Sequence, residues 1–223
     1  MIRECEEHGY HRNERCPFCG EEGKFIMSDF EVEKIGRTLA GILRHGKYNL
    51  KMDDQGYVST RDVLDKIRDL NPRMNWLRIR HLEALVDTDP KGRYNISGGK
   101  IRATYGHTID LDIRLDCENI PEELFYPTNE EEVEQLLENG IIPIDRSMVH
   151  LSRTFQDAMR AGLVHTEDPI ILGIDTDVCM DMGSDIGKAA RTVYLCRSVP
   201  AEAIFVADPD EYEEGGDKED PAA

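Results

Sequence analysis

The first twenty residues carry the tightest constraint in the chain: Cys5-x2-His8, seven intervening residues, then Cys16-x2-Cys19-Gly20. Tetrahedral zinc is bound by thiolates and imidazoles, and a two-residue spacing lets one tight turn aim both side chains of a pair at a single ion. Cys5, His8, Cys16 and Cys19 are therefore the candidate ligands, with His11 as the alternative to His8. No spare water-binding ligand is evident, so the site reads as structural, a staple for a segment too short to fold by itself. The other cysteines, Cys117, Cys179 and Cys196, are scattered and read as small apolar residues. With no export signal, the cysteines are expected to be thiols or ligands rather than disulfides.

Beyond this segment the hydrophobic pattern predicts helices. Ser28 and Glu31 fit a capping box ahead of Val32, Ile35, Leu39, Ile42 and Leu43 at helical spacing, and Gly46 suits a helix stop. A short extended piece around Gly56–Val58 leads to a second stripe, Val63, Leu64, Ile67 and Leu70, closed by Pro72. A third helix is expected over 75–90, then two short strands around Ser97-Gly98-Gly99. Three helices followed by a hairpin is the pattern of a winged helix.

After Gly106 the texture changes. Residues 107–115 alternate like a strand, 128–140 read as a capped acidic helix and 154–162 as a short one, while 169–177, 192–196 and 203–208 read as strands. The fold class is α+β. Residues 1–27 form the zinc-binding segment, 28–107 the winged-helix lobe, 108–207 a mixed second lobe and 208–223 an acidic tail too polar to pack.

The net charge of −18 is unevenly spread. Leu115–Ile142 holds nine acidic and no basic residues, whereas Ser59–Arg114 holds eleven Lys or Arg against eight Asp or Glu, so total charge does not exclude a nucleic-acid partner. No apolar run approaches the roughly 20 residues of a membrane span, and the acidic N-terminus lacks a secretory pattern, so a cytoplasmic protein is expected; a monomer is the separate expectation for its assembly.

Three basic clusters lie at predicted element ends: Arg44-His45, Arg102 with His107, and Arg146 with His150 and Ser152. Each alone has an ordinary explanation; a cation at a helix C-terminus, for example, gains roughly 0.3–1 kcal/mol. Together they would make a phosphate-handling cleft if the domains face each other, since the planar fork of arginine makes paired bonds to phosphate oxygens.

The stretches "LAGILRHGKYNL", "DQGYVSTRDVL", "GGKIRATYGHTIDLD", "EELFYPT", "GIIPIDRSMVHLS" and "VYLCRSVPAEAI" occur in an order and spacing that resemble the RNA 2'-phosphotransferases, which use NAD to remove an internal 2'-phosphate from RNA, notably at tRNA splice junctions. The N-terminal zinc segment resembles the archaeal branch. The resemblance implies a winged-helix lobe followed by an ADP-ribosyltransferase-type lobe. It places the essential Arg-His-Arg-Arg set on Arg44, His45, Arg102 and Arg146, and NAD-holding roles on His107, Thr128, His150 and Ser152. Two departures stand out: Thr104, Tyr105 and Thr108 replace the family's Asn, Gln and Ser, and Tyr126-Pro127-Thr128 replaces its His-Gly-Thr turn. The implied partners are 2'-phosphorylated RNA and NAD.

Two other classes compete. A zinc and winged-helix regulator would concentrate arginines on the recognition helix, within Asn75–Val86 at Arg78 and Arg80, and would leave Arg146 without purpose. An ADP-ribosyltransferase acting on nucleic-acid phosphate ends would keep the NAD residues and change the acceptor.

Overall fold

The computed structural model describes residues 1–212. It comprises two compact units: Met1–Arg114 with Asp145–Ser147, and Leu115–Ile144 with the chain from Met148 onward.

Unit 1 begins with β1 (Ile2–Cys5), β2 (Gly9–His11) and β3 (Lys24–Met27), an antiparallel sheet with β1 in the middle. The helix α1 (Asp29–Leu43) follows. Ser28 caps it as the sequence predicts: its hydroxyl accepts from Glu31 N, and Glu31 Oε2 accepts from Ser28 N at 2.8 Å. Then come β4 (Val58–Ser59), α2 (Thr60–Leu70), α3 (Ile79–Asp87), β5 (Tyr94–Ser97) and β6 (Lys100–Ala103), with the strands ordered β4-β6-β5. Ile35, Leu39, Ile42 and Leu43 of α1 pack with Val63, Leu64 and Ile67 of α2 and Leu82 and Leu85 of α3 in one core that also takes in Ile2 and Met27 of the N-terminal sheet.

Two expectations change here. The helix expected over 75–90 starts later, at Ile79, because Leu77 is buried and its carbonyl accepts from Arg68 and Arg78, while His81 Nδ1 accepts the Arg78 backbone N–H at 2.8 Å. Residues 107–115 form no strand. They make a strap along unit 1 instead: Thr108 N donates to Arg44 O, Asp112 N to Asp54 O and Arg114 N to Gln55 Oε1, and these bonds take the place of a ladder.

Unit 2 contains β7 (Glu123–Thr128), α4 (Val133–Asn139), β8 (Val149–Ser152), α5 (Phe155–Gly162), β9 (Ile170–Asp175), α6 (Thr176–Asp181), β10 (Gly187–Lys188), β11 (Val193–Cys196), β12 (Ile204–Val206) and α7 (Pro209–Tyr212). The strands form one six-stranded sheet, order β10-β11-β8-β7-β9-β12, with every pairing antiparallel. One face packs Leu124, Leu151, Leu172, Ile174 and Tyr194, with Val133 and Leu136 of α4 against them. The other carries Phe125, Phe155 and Ile171.

Of the expected unpacked tail, the first residues are ordered. Tyr212 stacks on Phe155 with ring centroids 5.2 Å apart, and its hydroxyl donates to Glu123 Oε1 at 2.5 Å, because an aromatic ring gives α7 apolar surface to bury. The remainder, 213–223, lies outside the described residues. No helix among the described residues is long and apolar enough to cross a membrane.

Candidate phosphate and metal sites

The N-terminal hairpin brings Cys5, His8, Cys16 and Cys19 together, with all four ligand atoms within 4.8 Å of one another. Cys5 Sγ stands 3.5 Å from His8 Nδ1 and 3.6 Å from Cys19 Sγ, and Cys16 Sγ stands 3.6 Å from His8 Nδ1. A tetrahedron with metal–sulfur bonds of about 2.3 Å has edges of about 3.8 Å, so the donor set fits a zinc ion. His11 is not part of it: it is buried, and its Nδ1 lies 3.1 Å from Asn13 O.

The second cluster forms where α1 ends. Arg44 is the C-terminal cap of α1, and its backbone N–H bonds to Ala40 O at 3.0 Å. Its guanidinium lies over the ring of Tyr105, 5.0 Å from the centroid. Gly106, at φ +82°, lets it pass, since a Cβ there would stand 3.2 Å from Arg44 Cζ and Nη1. His45 Nδ1 lies 3.0 Å from Thr108 Oγ1.

Arg102, on β6, arrives beside them. Its guanidinium lies over Tyr57, 4.9 Å from the centroid, and Nη1 donates to Gln55 O at 3.3 Å. Asp53 shapes this loop: its Oδ1 accepts from Gln55 N and Tyr57 N, and Lys100 bonds Oδ2 at 2.9 Å, which holds the Asp53 carboxyl below its ordinary range.

His107 sits among these cations, 2% exposed, with no hydrogen-bond partner at Nε2 among the described residues. Burial, followed by Arg44, Arg102 and His45, pushes its pKa down to about 4, so the ring is neutral at pH 7. Arg44 Nε and Nη2 and Arg102 Nε are likewise buried without partners, and neither arginine makes an ion pair among the described residues. Arg93 shows the contrast, since it is held by Asp89 through bonds of 2.8–3.1 Å. Half-buried cations with no carboxylate paired to them among the described residues, beside a neutral imidazole, make a candidate receptor for an anion that would supply the missing acceptors.

Arg146 joins unit 1 through its neighbour: Ser147 N and Oγ both donate to His107 O, at 3.1 and 3.4 Å, and Arg146 itself is exposed. The remaining predicted site residues lie in unit 2. His150 and Ser152 share one face of β8, two residues apart, with His150 Nδ1 3.0 Å from Met148 O. Ser152 pairs with Phe125 across the sheet. Thr128 follows Leu124 and Tyr126 in register and so points to the opposite face, where it is buried and donates to Glu132 Oε2 at 3.5 Å. Sequence reasoning missed the supporting residues Tyr57, Gln55 and Gly56. Only Gly56 had a local signal: it stands at φ +81°, and a Cβ there would lie 3.1 Å from the Leu111 side chain, so both backbone and space favour glycine.

These features define a class of protein: a mixed α/β protein with a candidate metal knuckle and a candidate anion receptor of two arginines and two histidines. A family model described as "RNA 2'-phosphotransferase, Tpt1 / KptA family" matches residues 31–198. The chain is 41% identical to a probable RNA 2'-phosphotransferase of Thermoplasma acidophilum, covering 94% of this chain and 89% of that protein. It is 40% identical to one from Methanosarcina barkeri, over 93% and 100% of the two chains, and 39% identical to the probable RNA 2'-phosphotransferase 1 of Archaeoglobus fulgidus, over 91% and 93%. The chain belongs to the RNA 2'-phosphotransferase family and is an enzyme of this type.

Proposed function

We propose that the protein removes an internal 2'-phosphate from RNA, of the tRNA splice-junction type, using NAD as co-substrate, and that the receptor around His107 grips the phosphate. The single observation that carries this reading is the convergence of Arg44, His45 and Arg102 on a buried, neutral His107, with no carboxylate paired to them among the described residues. NAD would supply the ribose carbon that bonds to a phosphate oxygen as nicotinamide leaves, and the neighbouring hydroxyl whose bond to phosphorus would break the RNA O2'–P bond, giving 2'-hydroxyl RNA and ADP-ribose 1'',2''-cyclic phosphate.

The chain's own groups meet the electrostatic demand of that chemistry. Phosphoryl transfer depends on positioning and on neutralising charge at the transferred group. Arg44 and Arg102, already clamped on tyrosine rings, cost little reorganisation as charge develops. Arg146 adds a cation free to move onto the phosphate from the exposed segment beside His107. His45 donates to a phosphate oxygen. The neutral His107 donates to or accepts from the bound reactants without adding repulsion. His150 and Ser152 are the candidates for the NAD ribose. Thr128, on the other face of the sheet, has no share in that pair's contact and is assigned a separate part of NAD.

The order α1-β4-α2-α3-β5-β6, with its β4-β6-β5 sheet, supports a winged-helix lobe over residues 28–107 for RNA, and the six-stranded sheet supports an ADP-ribosyltransferase-type lobe within 108–207. The Cys5, His8, Cys16 and Cys19 set is assigned to structural zinc.

The test is Arg102→Ala assayed with 2'-phosphorylated RNA and NAD. We expect phosphate removal to fall by about 10²–10³-fold or more, the scale of losing one preorganised donor, with helix content and bound zinc unchanged. Full activity in that variant, or phosphate removal by the wild type without NAD, overturns the reading.

A further inference from the structure

We propose that unit 1 carries a second RNA contact: a groove between α2 and α3 that takes an unpaired nucleotide of the chain flanking the phosphate being removed. It rests on the RNA substrate proposed above and is separate from the residues around His107.

The groove has a volume of about 410 Å³ and is lined by Arg61, Leu64, Arg68, Arg78, Ile79 and Arg80. Four of these six residues are arginines, in a protein whose net charge is −18, so the groove runs against the prevailing sign. The four do not play the same part. Arg68 is fixed in the wall, donating to Asp65 Oδ1 at 2.9 Å and Leu77 O at 2.5 Å, and Arg78 donates to the same Leu77 carbonyl at 2.8 Å. Arg61 and Arg80 are exposed and make no ion pair or hydrogen bond among the described residues. Ile79, 46% exposed, leaves an apolar floor between them.

That combination matches one chemistry. A nucleobase offers a flat face to the apolar floor and to guanidinium planes, and its phosphates offer oxygens to arginine forks. Unpaired RNA exposes base faces, whereas duplex RNA hides them in the stack. An acidic peptide would use the arginines and leave the floor unused.

The experiment uses Arg61→Ser/Arg80→Ser, which leaves the wall bonds of Arg68 and Arg78 in place. The probe is a short fluorescent single-stranded RNA without a 2'-phosphate, titrated at several salt concentrations. We expect its affinity to fall about tenfold, and the salt slope to shrink by about 1.4, at about 0.7 per phosphate contact on a single strand. Turnover of a 2'-phosphorylated dinucleotide stays at the wild-type level, while KM for a longer phosphorylated RNA rises about tenfold. Unchanged affinity and slope overturn the proposal, as does equal competition by blunt duplex RNA. A wild-type protein inactive on phosphorylated RNA would remove the proposed function, and the titration with unphosphorylated RNA would still decide the groove.

Discussion

The metal knuckle and the anion receptor are both clusters of polar side chains in unit 1, yet they are assembled in opposite ways. The knuckle takes its four ligands from residues 5–19, and two short spacings hold them close in any compact conformation. The receptor takes Arg44 from a helix end, Arg102 from a strand and His107 from a strap, and no local rule puts them together. The comparison teaches that a site closed by its own loop would depend on an ion to hold it, whereas one closed by tertiary packing depends on the glycines and tyrosines around it.

Removing zinc breaks the first half of that comparison and should give the largest effect, since structural zinc contributes on the order of 10 kcal/mol in small knuckles. A strong chelator should expose the thiols of Cys5, Cys16 and Cys19 to alkylation and release amide protection across residues 2–27, while protection of the unit 2 sheet persists. Slow, partial thiol labelling with protection intact would show that packing of Ile2 and Met27, rather than the metal, holds this segment.

Protonation tests the second half. The pKa of His107 in the folded protein, about 4, lies below the ordinary value of 6.5, so its neutral form is favoured by folding. Its contribution is therefore fully present above about pH 6.5 and is lost as pH falls towards 4, with an upper limit of roughly 3 kcal/mol. Denaturant melts between pH 7 and pH 4 should show this slope, and His107→Asn should flatten it; an unchanged slope would mean that other groups carry the acid sensitivity.

The smallest effect sharpens the comparison. Gly106→Ala should cost about 1–2 kcal/mol for a positive φ and also displace the Arg44 guanidinium, lowering activity at least tenfold. Gly98→Ala bears similar backbone strain, at φ +56°, but meets nothing within 4 Å, and should lose stability without losing activity. Equal loss of activity in both would separate Gly106 from the receptor.

Much of unit 1 was legible in the sequence because its helices are amphipathic: the α1 and α2 stripes are buried apart from Val32, which is half-buried, and Leu70, which is 47% exposed. Strap 107–115 was misread because alternation also describes a segment whose apolar residues pack on glycines, as Ile109 does on Gly46 and Leu111 on Gly56. Arg44, Arg102 and His107 could be named as candidates, but Tyr57 and Gln55 could not, since a loop tyrosine acquires a role only when a guanidinium lands on it.

By itself the sequence determined the zinc-type spacing, the helical stripes and the family, because each is written in neighbouring residues or in an ordered set of short stretches. Only the tertiary structure decided that His107 is buried and neutral among cations, that Thr128 turns away from the face holding His150 and Ser152, and that four arginines line one groove. Those are properties of distance and solvent exclusion, and both are fixed by which surfaces pack together rather than by the order of residues along the chain.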